Sequence, residues 1–125
     1  MSSRFSISRF RKSLCYAWAG LKTALRSEQN LRFHLIATVA AMILSFVVSL
    51  SRVEFALIII CIGLVLVAEL VNTAIEKLCD KIAPSLDEQI KLIKDLSAAA
   101  VLLAAITAFI CGLIIFLPRI FSFLS

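Results

Sequence analysis

Glycine and proline are scarce, three and two in 125 residues, and the glycines stand alone. Isolated glycines exclude the Gly-rich backbone cradles of P-loop enzymes and protein kinases, so any nucleotide must be held by side chains. The four cysteines, Cys15, Cys61, Cys79 and Cys111, form no C-x-x-C pair. They predict neither a zinc module nor disulfides and read as small apolar fillers. No basic groove interleaved with aromatics is present, so nucleic acid is not an expected partner. The hydrophobic positions near the N-terminus are interrupted by arginines, and no compact apolar core of a signal peptide follows them.

What the chain has is apolar length. Hydrophobic residues make up 62% and mean hydropathy is +1.04, far above an ordinary globular chain. The apolar runs are long and unbroken where barrel strands would alternate, which predicts an all-α integral membrane protein of one domain spanning residues 1–125.

From about 5 to 26, Phe10, Leu14, Ala17, Trp18, Leu21 and Leu25 recur at helical spacing against Arg11, Lys12, Lys22 and Arg26, as in an amphipathic helix lying on a membrane surface. Ser27 is positioned to cap the next helix. Spans are expected at about 31–50, 53–72 and 96–117. About eighteen residues at 1.5 Å each reach roughly 27 Å, close to the hydrocarbon thickness. The second helix should run past the membrane edge to about Ile82 and stop at Pro84. Ser85-Leu86-Asp87-Glu88 matches a capping box that would start the third spanning helix near Leu86, and Pro118 should end it, leaving Arg119, Phe121 and Phe123 as an interfacial tail. Of the thirteen Lys and Arg, all but Arg52 and Arg119 lie in the N-terminal segment or around the second loop. The positive-inside bias therefore places those two regions in the cytoplasm and the C-terminus outside.

One stretch departs from plain hydrocarbon. The second run is uncharged from Phe55 until Glu69, and on a helix Glu69, Asn72, Glu76 and Asp80 (i, i+3, i+7, i+11) share a face. Ionisable residues at such depth are costly and point to function. Glu28 before the first span and Lys94-Asp95 before the third lie at the same cytoplasmic level as Glu76. Two carboxylates from different helices, Glu28 and Glu76, suit a Mg²⁺ bound together with nucleotide phosphates, which needs only one or two protein carboxylates. Lys94, with Arg9 or Lys12, can neutralise further phosphate charge. Desolvation penalises the charged form of a carboxylate such as Glu69, which fits it to take a proton from a hydroxyl group, with Asn72 orienting the reacting groups. His34, just inside the first span, reads as a helix-facing or partner-bonded histidine near the interface rather than a ligand.

Glu28-Gln29-Asn30, Glu69-Leu70-Val71-Asn72-Thr73-Ala74-Ile75-Glu76 with Asp80, and Ile93-Lys94-Asp95 leading into Ala98-Ala99-Ala100-Val101 resemble the small prokaryotic diacylglycerol kinase family, which includes undecaprenol kinases. The resemblance covers nearly the whole chain. It implies an ATP-dependent lipid kinase of the bacterial inner membrane, a homotrimer with active sites shared between subunits. By motif position, Glu28 and Glu76 would hold the metal and Glu69 would be the base. Arg9, Tyr16, Lys94 and Asp95 match positions that contact ATP, and Asn72 and Asp80 match further polar positions of the site. Arg32-Phe33-His34 and the closing Gly112-Leu113-Ile114-Ile115-Phe116-Leu117-Pro118 look like the undecaprenol-kinase branch, so the lipid acceptor is either diacylglycerol or undecaprenol.

A small multidrug or proton-coupled transporter is the rival expectation, because such proteins also use an intramembrane Glu. They have four spans with the Glu in the first, whereas three spans are expected here, with the acidic groups at the cytoplasmic edge.

Overall fold

The computed structural model describes residues 4–83, 85 and 87–125, and contains four helices: α1 (Ile7–Ser27), α2 (Gln29–Val47), α3 (Arg52–Ile82) and α4 (Glu88–Leu124). By length and composition α2, α3 and α4 can each cross a membrane. At about 1.5 Å per residue, the 31 residues of α3 and the 37 of α4 exceed a roughly 30 Å hydrocarbon core. Both helices therefore extend beyond it. They pack against each other more extensively than any other pair, α2 packs on α3, and α1 lies against α2 and α3.

The breaks between helices are local and short. Only Glu28 separates α1 from α2. Its extended backbone (φ −110°, ψ 111°) interrupts the spiral, while its N–H still donates to the Ala24 carbonyl at 2.9 Å. Ser27, expected to cap α2, is instead the last residue of α1, and the cap position falls to Glu28 without a side-chain bond. Immediately after it, Leu31 is the most completely buried large side chain among the described residues. It locks the start of α2 into the bundle.

The α2–α3 turn satisfies carbonyls that the end of α2 would leave open. Leu50 N–H donates to the Ser45 carbonyl at 3.1 Å and Ser49 N–H to that of Phe46 at 3.3 Å, the paired bonds of a Schellman ending. The position that usually takes glycine is held by Ser49 at φ 55°, a left-handed conformation that costs a side-chain-bearing residue energy. Ser51 and Glu54 then cap α3 reciprocally: Glu54 N–H donates to Ser51 Oγ at 3.2 Å and Ser51 N–H to Glu54 Oε1 at 3.0 Å.

Two expectations about α4 are corrected. Its cap is Asp87, whose Oδ1 accepts from the N–H groups of Gln89 and Ile90, so the Ser85 capping box does not form. Pro84 and Leu86, on which the expected stop and start also rested, lie outside the described residues. Pro118 does not end the helix, and Arg119, Phe121 and Phe123 are helical. Proline removes one backbone bond there, but the next residue compensates with a tertiary one. Arg119 forks onto Glu54 at the start of α3, its Nη2 donating to Oε1 at 2.5 Å and its Nε to Oε2 at 3.2 Å. That fork holds the last turns of α4 in place.

Candidate functional site

The polar residues of α3 are graded along its length. Glu69 and Asn72 are buried, Glu76 is half-buried and Asp80 is exposed, so one helix face runs from a dry end to a wet one. Over eleven residues that is about 16 Å. No proline or glycine interrupts this stretch, which keeps the spacing rigid.

At the dry end Asn72 is 8% exposed, and its Oδ1 has no hydrogen-bond partner among the described residues. A buried acceptor without a donor costs roughly 1–3 kcal/mol. Burial at that cost is expected where a ligand supplies the donor. Glu69 meets one ionisable neighbour, His34 of α2, with Nε2 3.4 Å from its Oε1. His34 thus has a partner, as its position suggested, and the partner is Glu69 of α3, which was not legible in advance.

At the wet end the charges are arranged between helices. Lys94 of α4 donates to Asp80 of α3. This hydrogen bond raises the Lys94 pKa above the ordinary lysine value, at a position before the apolar part of α4 begins. Lys91 pairs with Asp95 one turn along at 2.6 Å. Glu28, from the α1–α2 break, has Oε1 3.4 Å from Ser27 Oγ and 3.9 Å from Lys77 Nζ. Lys77 follows Glu76 directly, so Glu28 is brought to the same part of α3.

Arg9 and Tyr16 are exposed on α1 and make no side-chain hydrogen bond or ion pair with this cluster among the described residues. Tyr16 borders a shallow basic groove with Ser8, Arg11, Lys12 and Cys15. Among the described residues no group of three or more His, Cys, Asp and Glu forms a protein-only metal cage. The available set is two carboxylates, Glu28 and Glu76. Glu28 is held only by long contacts, and Glu76 has no ion pair among the described residues, so both keep acceptor capacity. This donor set fits a Mg²⁺ whose remaining ligands are water and phosphate oxygens.

Below Glu69 an open cavity of about 430 Å³ runs between α2, α3 and α4. Its lining passes from His34 and Thr38 near the polar cluster to Phe116 and Leu117 far along α4. It is almost wholly apolar, as a site for a hydrocarbon chain would be. Chemically, the arrangement offers a buried carboxylate beside an apolar cavity, and a charged, carboxylate-bearing edge two helical turns away.

Residues 15–116 match the family model described as prokaryotic diacylglycerol kinase. The undecaprenol kinase of Bacillus subtilis (strain 168) is 39% identical over 117 residues, covering 94% of this chain and 95% of that protein. The diacylglycerol kinase of Synechocystis is 38% identical over 111 residues, 88% of this chain and 63% of that longer protein. The diacylglycerol kinase of Escherichia coli (strain K12) is 32% identical over 103 residues, 82% of this chain and 84% of that protein.

Proposed function

The chain belongs to the prokaryotic diacylglycerol kinase family and is a lipid kinase; from that premise we propose that it transfers the γ-phosphate of ATP to the hydroxyl of a membrane lipid alcohol, undecaprenol or diacylglycerol, with Glu69 as general base. The observation that carries this reading is the gradation of α3. Buried Glu69 and Asn72 suit a hydroxyl delivered from the bilayer, and half-buried Glu76 suits a nucleotide arriving from water.

In this mechanism Glu69 takes the proton as the lipid oxygen attacks phosphorus in line with the departing ADP. Asn72, with its free Oδ1, orients the hydroxyl. Lys94 and Asp95, with Arg9 and Tyr16 from α1, position the nucleotide, and Asp80 holds the Lys94 ammonium in place. Glu28 and Glu76 would hold Mg²⁺, which when bound neutralises charge on the phosphate oxygens. Most of the rate gain comes from holding together two reactants drawn from different phases.

Within one chain Arg9 and Tyr16 make no side-chain hydrogen bond or ion pair with the acidic cluster among the described residues. In the proposed homotrimer a neighbouring subunit's α1 completes the site, with α1 lying along the cytoplasmic face of the inner membrane and the C-terminus outside. A transporter has less support: among the described residues three helices are long enough to span, and the relatives above carry kinase names.

The test is an assay in mixed micelles with labelled ATP and, separately, undecaprenol and diacylglycerol. Phosphate should reach at least one lipid, and Glu69→Gln and Glu76→Gln should each lower transfer by about 10²-fold or more. Transfer to neither lipid by the wild type, or full activity in both variants, overturns the proposal.

A further inference from the structure

His34 is the one histidine in the chain, and the chemistry above gives it no task. It lies in the second turn of α2, and its contact with Glu69 crosses between helices. The imidazole keeps 21% side-chain exposure while the Glu69 side chain keeps 5%, so the ring sits between the buried carboxylate and the edge of the bundle. The ring is itself held. Phe33 packs against it edge-on at 5.9 Å between centroids, and the Thr38 hydroxyl donates to the His34 carbonyl at 2.8 Å, tying down the turn that carries it.

A purely structural partner for a carboxylate looks different in this molecule. Arg119 engages both oxygens of Glu54 in a fork, leaving that carboxylate little capacity for anything else. His34 approaches Oε1 of Glu69 alone, and no described residue completes a hydrogen bond to either oxygen. The 3.4 Å separation is longer than a formed N–H···O bond of about 2.7–3.2 Å. Hydrogen bonds to catalytic groups commonly tighten to full strength only when substrate binds.

We propose that His34 is a positioning residue for Glu69. Its Nε2–H donates to Oε1, fixes the plane of the carboxylate and leaves Oε2 for the acceptor hydroxyl. The inference rests on Glu69 being the base. In the transfer step the lipid O–H bond breaks and its proton goes to Oε2. The lipid oxygen bonds to the γ-phosphorus, and the bond from that phosphorus to the ADP oxygen breaks with its electron pair going to ADP. The imidazole keeps its own proton throughout and acts only by orientation. Misplacing a base by about an ångström can cost on the order of 10²-fold in rate, so the contribution is measurable.

Two measurements test this. In the micelle assay, His34→Ala should lower kcat by about 10- to 100-fold with the KM for the lipid alcohol nearly unchanged. His34→Gln, which keeps an N–H donor of similar reach, should recover part of that loss. Independently of turnover, NMR of the sole imidazole with the lipid alcohol bound should show a hydrogen-bonded, downfield-shifted Nε2–H proton in the wild type that moves upfield in Glu69→Ala. Unchanged kcat in His34→Ala overturns the inference, as does a loss carried by KM with no rescue in His34→Gln, or an Nε2–H shift indifferent to Glu69→Ala. If His34→Ala does not fold, that NMR comparison decides alone. An active wild type with an active Glu69→Gln refutes Glu69 as base and this role with it, whereas an inactive Glu69→Gln beside a fully active His34→Ala refutes only the positioning role.

Discussion

The two ends of the α3–α4 pair treat polar groups in opposite ways. At the start of α3 both oxygens of Glu54 are engaged: Ser51 N–H donates to Oε1, and Arg119 forks onto both oxygens from 65 residues away. At the other end Glu69 is approached on one oxygen by His34, Asn72 Oδ1 has no partner among the described residues, and Glu28 is held only by long contacts. Glu54 is thus consumed by the fold, while Glu69, Asn72 and Glu28 keep capacity for ligands. Among these groups depth alone does not separate the two behaviours, but completeness of partnering does.

The comparison is broken most directly by exchanging charge for amide at each end. Glu69→Gln is expected to lower kcat by about 10³-fold, the usual worth of a general base, with the thermal unfolding midpoint in detergent nearly unchanged. Glu54→Gln should do the reverse, keeping kcat within about twofold, as for a residue remote from the chemistry, and lowering the midpoint. Equal effects of both variants on kcat would mean that the fork is part of the catalytic machinery. Asn72→Ala sharpens the contrast. It removes an unsatisfied acceptor, so kcat should fall by about tenfold or more, while stability holds or rises because a burial penalty of roughly 1–3 kcal/mol is relieved. The smallest effect is expected at the turn beside the fork. Ser49→Gly should raise stability by about 1 kcal/mol through relief of the left-handed backbone, measured by chemical denaturation, and leave kcat alone.

Much of this division was legible before any coordinates. The i, i+3, i+7, i+11 pattern places four polar residues on one face of any helix, and an apolar run just upstream gives that face its depth. The length of α3 past the apolar region was legible too, because Pro84 is the first residue able to stop it. What escaped were the contacts between distant positions. Nothing near Glu54 in sequence points to Arg119, and nothing near His34 points to Glu69. The helix ends differed for local reasons. Ser27 and Ser85 are good caps by residue type, yet the chain breaks one residue later at Glu28, and Asp87, an equally good cap, takes the position before α4 by accepting two backbone N–H bonds. Pro118 breaks helices in general, and here the neighbouring Arg119 supplies an anchor that local rules do not count.

That anchor bears on how the protein registers its surroundings. Under the proposed topology, the Glu54–Arg119 fork marks the outer boundary, and Glu69 lies fifteen residues farther along α3, about 22 Å at 1.5 Å per residue. Across a hydrocarbon layer near 30 Å, this leaves Glu69 short of the inner boundary by less than 10 Å. A thicker bilayer would submerge the carboxylate and a thinner one would lift it into the headgroups, unless the helices tilt to absorb the mismatch. Turnover should therefore peak at one acyl-chain length of the host lipid, making the enzyme a gauge of bilayer thickness.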